Sequence, residues 1–503
     1  MTYKKISLII LSALAISTMG CKNYLDQPVL GLYSPSNFFT TDANAQFAVN
    51  AAYSPLMFSS GTDNPLWVLG DVASDDAIKG GNPGDQADFD AINQFNILPT
   101  NSAVEAVWQR YYDGVFKCNV VLDGLTNNTV VSDAVKKASI AQAKFLRAYY
   151  YFILTTSYGN IPLHLKVETP DELQSPVVPQ DSIYLQIEKD GNEALADLPI
   201  PSSGLALGIV TKGSAYALLA KVYLFHMDLA NHYHLSAQAS QSVLDMGYYS
   251  LTNLFSDNFN SVTKNNREAI FTVNHLTGGQ QNDLNTFFSP RDRGGWGFFF
   301  PTQGLANNYE KAPTGEVDPR LNYTVGWAGQ PYYDLGWDPS WTTTGYLCKK
   351  WIQPLSVIPQ TNRGQGNLNY EVIRFSELLL IQAEALNENG QSLAALTPLN
   401  KVRKRARESY LYDASLTGYG AVPAGLLPDI TTTDQTQLRN AIRNERRTEL
   451  ALEFHRFYDI IRYGQTYANT VLKAVSSNFD YSINKWFPIP QTERDTNKKL
   501  GLH

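Results

Sequence analysis

The chain has 503 residues, a formal net charge of −7 and a pI near 5.6. This balance excludes a basic nucleic-acid surface, and the length is enough to bury a large core. Aromatic residues make up 12%, with 29 Tyr, 23 Phe and 8 Trp; core packing uses many of these, and Tyr and Trp in quantity also suit recognition surfaces.

Lys4 and Lys5 followed by a short apolar run over 6–16 form a targeting segment, too short to span a bilayer. Gly20-Cys21 resembles a bacterial lipoprotein cleavage site, so 1–20 is the expected leader and Cys21 the expected lipidated residue and membrane anchor. Cys118 and Cys348 are too few for a disulfide framework, and Cys118 is expected to be a small buried apolar residue. The stretch 23–37, rich in Pro, Gly and Asn, reads as a tether.

Helical periodicity begins at 38–58 and is expected to end near Pro55. The segment 66–100, with GDVASDDAIKGGNPGDQADFD at its centre, reads as a long polar loop. Helices are predicted over 104–125, 130–158, 182–198, 212–229 and 235–246. His232-x-His234 opens the last of these; it reads as a polar turn with no metal, because no third ligand follows at a known spacing. From 248 to 369 Gly, Pro, Asn and aromatics dominate, with a short strand at 269–274 and five of the eight Trp.

Helices return at 371–389 and 392–408, where KVRKRARES reads as a solvated or ion-paired face. One long helix is predicted over 440–464. Leu450, Phe454, Phe457 and Ile461 fall on one face of it, and Glu445, Glu449 and Glu453 stack in a column. Arg446 and Arg456 are positioned to answer those glutamates, and Arg462 to answer Asp459. The fold class is therefore mainly α: a tetratricopeptide-like helical-repeat scaffold, though without a clean fixed period, carrying a large irregular loop-rich subdomain. The expected divisions are 1–20, 21–247, 248–369 and 370–503, within one integrated fold.

NERRTELALEFHRFYDIIRYG resembles the C-terminal signature of the SusD/RagB family. IAQAKFLRAYYYFILTTSYGNIPL, TKGSAYALLAKVYLF, GLANNYEKAPTGEVDPRL, YEVIRFSELLLIQAEALNENG, LNKVRKRAR and KWFPIPQTERD resemble further family motifs in the family's order. The resemblance implies four tetratricopeptide-like units and an outer-membrane, cell-surface lipoprotein. That protein would capture oligo- or polysaccharide and hand it to a SusC-like, TonB-dependent transporter, without catalysis and without a cofactor.

Sugars present flat C–H faces ringed by hydroxyls, so a site for them needs exposed aromatic planes beside Asp, Asn, Arg or Lys. Two stretches supply both. One is 71–96, with Asp75, Asp76, Lys79, Asn82 and Phe95; the other is 291–341, with Arg291, Asp292, Arg293, Trp296, Tyr332, Trp337 and Trp341. Gly294, Gly295 and Gly297 single out Trp296 as the most exposed. Two alternatives stand beside this reading. A helical-repeat protein would bind only its partner barrel or a peptide. A glycoside-active enzyme would use two of Glu445, Glu449 and Glu453, which fall within the roughly 5 to 9 Å that such chemistry needs, but neighbouring arginines hold them ionised, against the demand for a general acid.

Overall fold

The computed structural model describes residues 38–59, 62–226 and 231–501. The predicted leader, tether and Cys21 lie outside the described residues. Among those residues no helix is long and apolar enough to cross a membrane.

Long helices form the scaffold: α1 (Asp42–Tyr53), α2 (Ser102–Leu125), α3 (Asp133–Tyr158), α4 (Gln180–Ala194), α5 (Lys212–Phe225), α6 (His232–Asp245), α7 (Phe375–Glu388), α8 (Ser392–Tyr412) and α9 (Gln435–Glu449). Their starts are chemically marked. The Asn101 side chain accepts from the N–H groups of Ala103 and Val104, Thr211 and Ser214 form a capping box, and Asp434 accepts from Gln437. Neighbours pack in sequence, α2 on α3, α3 on α4, α5 on α6 and α7 on α8; α6 and α9 then close on α7. The most enclosed helices are α7 and the second half of α3, which is buried almost continuously from Phe145 to Tyr158. A tetratricopeptide-like stack has inner helices of this kind, covered on more than one face.

Three predicted elements come out differently. The run at 371–389 opens as a strand (Tyr370–Arg374) before α7 begins, because its first residues pair with Ala269–Val273. The segment 66–100 is not an open polar loop: it holds a π-turn (Val68–Val72), a strand and a short helix (Ala87–Asn93), and buries Asp71, Ser74 and Asp76. The single helix expected over 440–464 is two, α9 and α10 (Arg456–Arg462), with Leu452 and Phe454 at positive φ between them.

That break is held from outside the helices. The two Asp71 carboxylate oxygens accept from Phe454 N–H at 2.9 Å and Arg456 N–H at 3.3 Å, Trp351 Nε1 donates to the Leu452 carbonyl at 2.7 Å, and Lys350 Nζ donates to the Glu449 carbonyl at 3.2 Å. Phe454 stacks between Trp351 and Tyr370, with centroids at 5.2 and 5.5 Å. Tertiary partners thus outbid the continuous periodicity of the sequence.

The region between α6 and α7 is tied down by three two-stranded antiparallel sheets. β1 (Ala77–Lys79) pairs with β3 (Phe299–Pro301), β2 (Ala269–Val273) with β6 (Tyr370–Arg374), and β4 (Val325–Trp327) with β5 (Tyr346–Cys348). Cys118 and Cys348 are free and buried.

Candidate functional site

The β1–β3 pair joins the two stretches the sequence singled out. Gly80 N–H donates to the Phe298 carbonyl at 3.0 Å, extending the pairing past Lys79, and Arg291 reaches Asp85 at 2.8 Å. A Cβ at Gly81 would strike the Phe298 ring at 2.6 Å and one at Gly80 the Gly297 carbonyl oxygen at 2.1 Å, so these glycines permit the close approach of the two loops.

Trp296 sits at this junction. Its N–H donates to the Thr286 carbonyl at 2.8 Å, and its ring leans on Phe287 at 4.6 Å and Phe298 at 5.5 Å. Both contacts are tilted, at 59° and 60°, and the side chain is still 41% exposed, the most exposed tryptophan among the described residues. Exposed Asn82 and Arg291 and half-buried Arg293 lie on the same two loops. The Arg293 guanidinium lies 5.6 Å over Trp341, which meets half-buried Trp337 edge to face at 6.1 Å. Together these groups make an open shelf with one free indole, a second half-exposed one, two guanidiniums and an amide. Asp292 pairs with Arg293 at 3.3 Å.

The remaining candidates face inward. Tyr332 is buried and donates its hydroxyl to the Cys348 carbonyl at 2.7 Å. Trp341 is buried beneath Trp337, and Phe95 packs on Phe479 at 4.9 Å. Lys79 is buried, donates to the Asn82 carbonyl at 3.1 Å and pairs with Asp90 at 3.5 Å. Asp75 meets Arg456 at 2.7 Å and Arg447 at 2.8 Å, while buried Asp76 meets Arg447 at 2.7 Å. Burial works to raise the Asp75 pKa, but Arg456 and then Arg447 outweigh it and hold the carboxyl below its usual range. These six residues position the shelf and do not form its surface. Composition does not separate the two groups, because an aromatic or an aspartate reads alike in either place.

Beneath the shelf lies a buried ion-pair network. Glu449 accepts from Arg320 at 2.9 Å, from Arg374 at 2.5 Å and from Arg405. Glu445 pairs with Arg320 at 2.6 Å and Arg403 at 2.9 Å; Glu453 pairs with Lys350 at 2.7 Å and Arg374 at 2.8 Å. Arg446 does not answer Glu449: it joins Glu377 at 2.9 Å and Asp459 at 2.7 Å. Arg456 goes to Asp75 rather than to the glutamate column, whereas Arg462 does meet Asp459, at 2.8 Å. Burial pushes the Glu449 pKa up, but Arg405, Arg374 and Arg320 drive it well below the carboxylate range; Arg374 and Lys350 do the same for Glu453. Carboxylates held ionised this firmly cannot serve as general acids.

The fold and the shelf define a class: a helical-repeat scaffold that presents an open aromatic and cationic surface from irregular loops. Comparison with known proteins makes this specific. Residues 254–501 match the model of the SusD family, and residues 41–224 match one described as "Starch-binding associating with outer membrane". The chain belongs to the SusD/RagB family. It is similar to SusD-like protein P2 of Formosa agariphila, with 28% identity covering 97% of each chain. Among solved structures it resembles a laminarin binding SusD-like protein (26% identity, TM-score 0.74, covering 92% of this chain and 99% of that one). It also resembles surface glycan-binding protein A from Bacteroides thetaiotaomicron in complex with laminarihexaose, at 26% identity and TM-score 0.74, covering 92% and 98%.

Proposed function

We propose that this chain is a cell-surface glycan-binding lipoprotein, anchored through Cys21, that captures an oligo- or polysaccharide and delivers it to a SusC-like TonB-dependent transporter. The observation that carries the reading is Trp296, an exposed indole braced by Phe287 and Phe298 on the same two loops as Arg291, Arg293 and Asn82. A pyranose ring stacks its C–H face on such a plane while guanidinium and amide donors take its hydroxyls. The laminarin and laminarihexaose of the two similar structures make a glucan the first class to test. The family description "Starch-binding associating with outer membrane" supports the location. Binding without turnover is the reading that buried, salt-bridged Glu445, Glu449 and Glu453 support, since they are poor general acids.

Isothermal titration of the folded chain with laminarihexaose and a panel of other oligosaccharides tests this. Binding by at least one glycan, weakened tenfold or more in Trp296→Ala (about 1.4 kcal/mol), is the expected result. No heat from any glycan, or an unchanged affinity in that variant, would overturn the assignment of the shelf. Release of reducing ends during incubation would instead establish the enzyme alternative.

A further inference from the structure

Away from the shelf, one group of three metal-type donors stands out among the described residues: Glu188 on α4, His226 just after α5 and His232 at the start of α6. One donor atom from each lies within 4.8 Å of the other two. His226 Nδ1 is 2.7 Å from Glu188 Oε1, and His232 Nε2 is 3.8 Å from the same oxygen. Both imidazoles are 4% exposed, and their centroids are 4.4 Å apart. The sequence pointed to His232-x-His234 as a polar turn, but His234 is exposed and has no part in this group; the other donors come from a preceding helix and from the end of the adjoining one.

The hydrogen bonds around the rings fix which nitrogens are available. His232 Nδ1 faces the His226 carbonyl oxygen. A carbonyl only accepts, so Nδ1 carries a proton, and in the neutral ring Nε2 is the nitrogen that keeps its lone pair. That lone pair points toward a carboxylate oxygen, an arrangement of two acceptors that a cation between them would satisfy. On the other ring, Nδ1 faces Glu188 and Nε2 faces Asp181 at 3.8 Å. His232 thus has the outer hydrogen bond usual for ligating histidines, while His226 Nε2 stands 3.8 Å from Asp181, too far for one. Tyr184 stacks on His226 at 4.7 Å and 16°, holding the ring in place.

We propose that Glu188, His226 and His232 form a divalent transition-metal site that ties the α5–α6 turn to α4. Two imidazole nitrogens and one carboxylate oxygen suit zinc, whose tetrahedral ligands stand about 3.3 Å apart at bond lengths of about 2.0–2.2 Å. The 2.7 and 3.8 Å separations bracket that value, so a small swing of the Glu188 side chain completes the set. A cleft of about 280 Å³ reaches the outer side of His226, between Asp181 and Tyr184; Glu188 and His232 do not line it.

The test is metal retention by the full chain. The protein is stripped with a chelator, dialysed against Zn²⁺, passed through a desalting column and assayed for bound zinc. One zinc per chain is expected, with Glu188→Gln and His232→Ala each weakening it at least tenfold and His234→Ala leaving it unchanged. Circular dichroism checks that each variant is folded, and His226→Gln replaces any that is not. Loading with Co²⁺ should give the intense visible bands of a four-coordinate ion rather than the weak ones of the aqua ion. Retention of less than a tenth of an equivalent by the unsubstituted chain would overturn the site. So would zinc held equally by all variants, which would mark surface binding only.

Discussion

Glu449→Gln removes one negative charge and leaves the side-chain shape almost unchanged, so its effect isolates electrostatics. In the folded protein this carboxylate is fully buried and faces Arg320, Arg374 and Arg405. Each of these cations keeps another carboxylate, Arg320 on Glu445 and Asp318, Arg374 on Glu453 and Arg405 on Glu268, so the substitution leaves the buried cluster with one uncompensated positive charge. Breaking a buried ionic cluster in this way costs about 3–5 kcal/mol, since that excess charge stays desolvated. Against a total stability of roughly 5–15 kcal/mol that is a large fraction. With a urea slope of about 3 kcal/mol/M or more, the midpoint should fall by up to about 1.7 M. Lys117→Ala, which breaks a half-exposed pair with Asp113 at 2.7 Å, serves as the control and should cost under about 1 kcal/mol. Urea unfolding followed by tryptophan fluorescence and by circular dichroism measures both. A Glu449→Gln midpoint within error of the Lys117→Ala midpoint would refute the claim that this network carries stability.

The pH profile provides a second check. Burial lowers the pKa of His275 and of His455 to about 4, and burial raises Asp71 to about 8 and Glu371 to about 7. Between about pH 5 and 6 the unfolded chain therefore binds two protons on the histidines that the folded chain does not, and the folded chain binds two on the carboxylates that the unfolded chain does not; these four groups should contribute no net slope. Glu371→Gln removes one compensating proton, so its stability should fall by about 1.4 kcal/mol per unit as pH drops through that window, measured by urea unfolding at each pH. Below about pH 4 both proteins should lose stability steeply, because Asp459, held near 2, and Glu377, Glu449 and Glu453, all lowered, contribute stability above their unfolded pKa that is lost as pH falls. Gly70→Ala should cost about 1–3 kcal/mol, because its Cβ would stand 2.2 Å from the Phe454 carbonyl oxygen, a backbone atom with nowhere to move; the same unfolding assay reads it. Tyr332→Phe should lose about 1 kcal/mol with its bond to the Cys348 carbonyl and leave glycan titration unchanged, since this ring lies under the shelf.

The helical scaffold was legible because α2, α3 and α7 carry apolar residues at helical spacing, and Asn101 and Thr211 mark the starts of α2 and α5. The break after Glu449 was not, because Leu450, Phe454, Phe457 and Ile461 keep a helical spacing straight through it. What stops the helix is Asp71, nearly four hundred positions upstream, and Trp351 in the irregular region; neither leaves a local trace. The charged column at Glu445, Glu449 and Glu453 was visible, but the identity of its partners was not. They are Arg320 of the Asp-Pro-Arg segment, Arg374 at the entrance to α7, and Arg403 and Arg405 of the basic run, residues that meet only once the chain has closed. The same holds at the shelf. Trp296, Arg291 and Asn82 were picked out and are exposed, Arg293 is half-buried beside them, and the glycines around Trp296 were the usable signal. Tyr332, Trp341 and Phe95 carry the same chemistry, and only packing decides that they are core.

The network and the shelf are mechanically one object. Arg447 on α9 and Arg456 on α10 flank the helix break, and both grip Asp75, while Arg447 also grips Asp76. The next residue opens β1, whose pairing with β3 places Phe298, and Phe298 supports Trp296. Fixing the indole through this chain means that little side-chain freedom remains to be lost when a sugar docks, which is how a shallow, open surface achieves useful affinity. Arg447→Met tests the connection. It sits away from the exposed indole face, so a surface that works by contacts alone would bind glycan unchanged. Loosening of the β1–β3 anchor should instead weaken binding several-fold while Trp296 remains in place. An affinity identical to that of the unsubstituted chain would mean that the loops hold their shape without the helix break, and that the shelf and the network are coupled only by proximity.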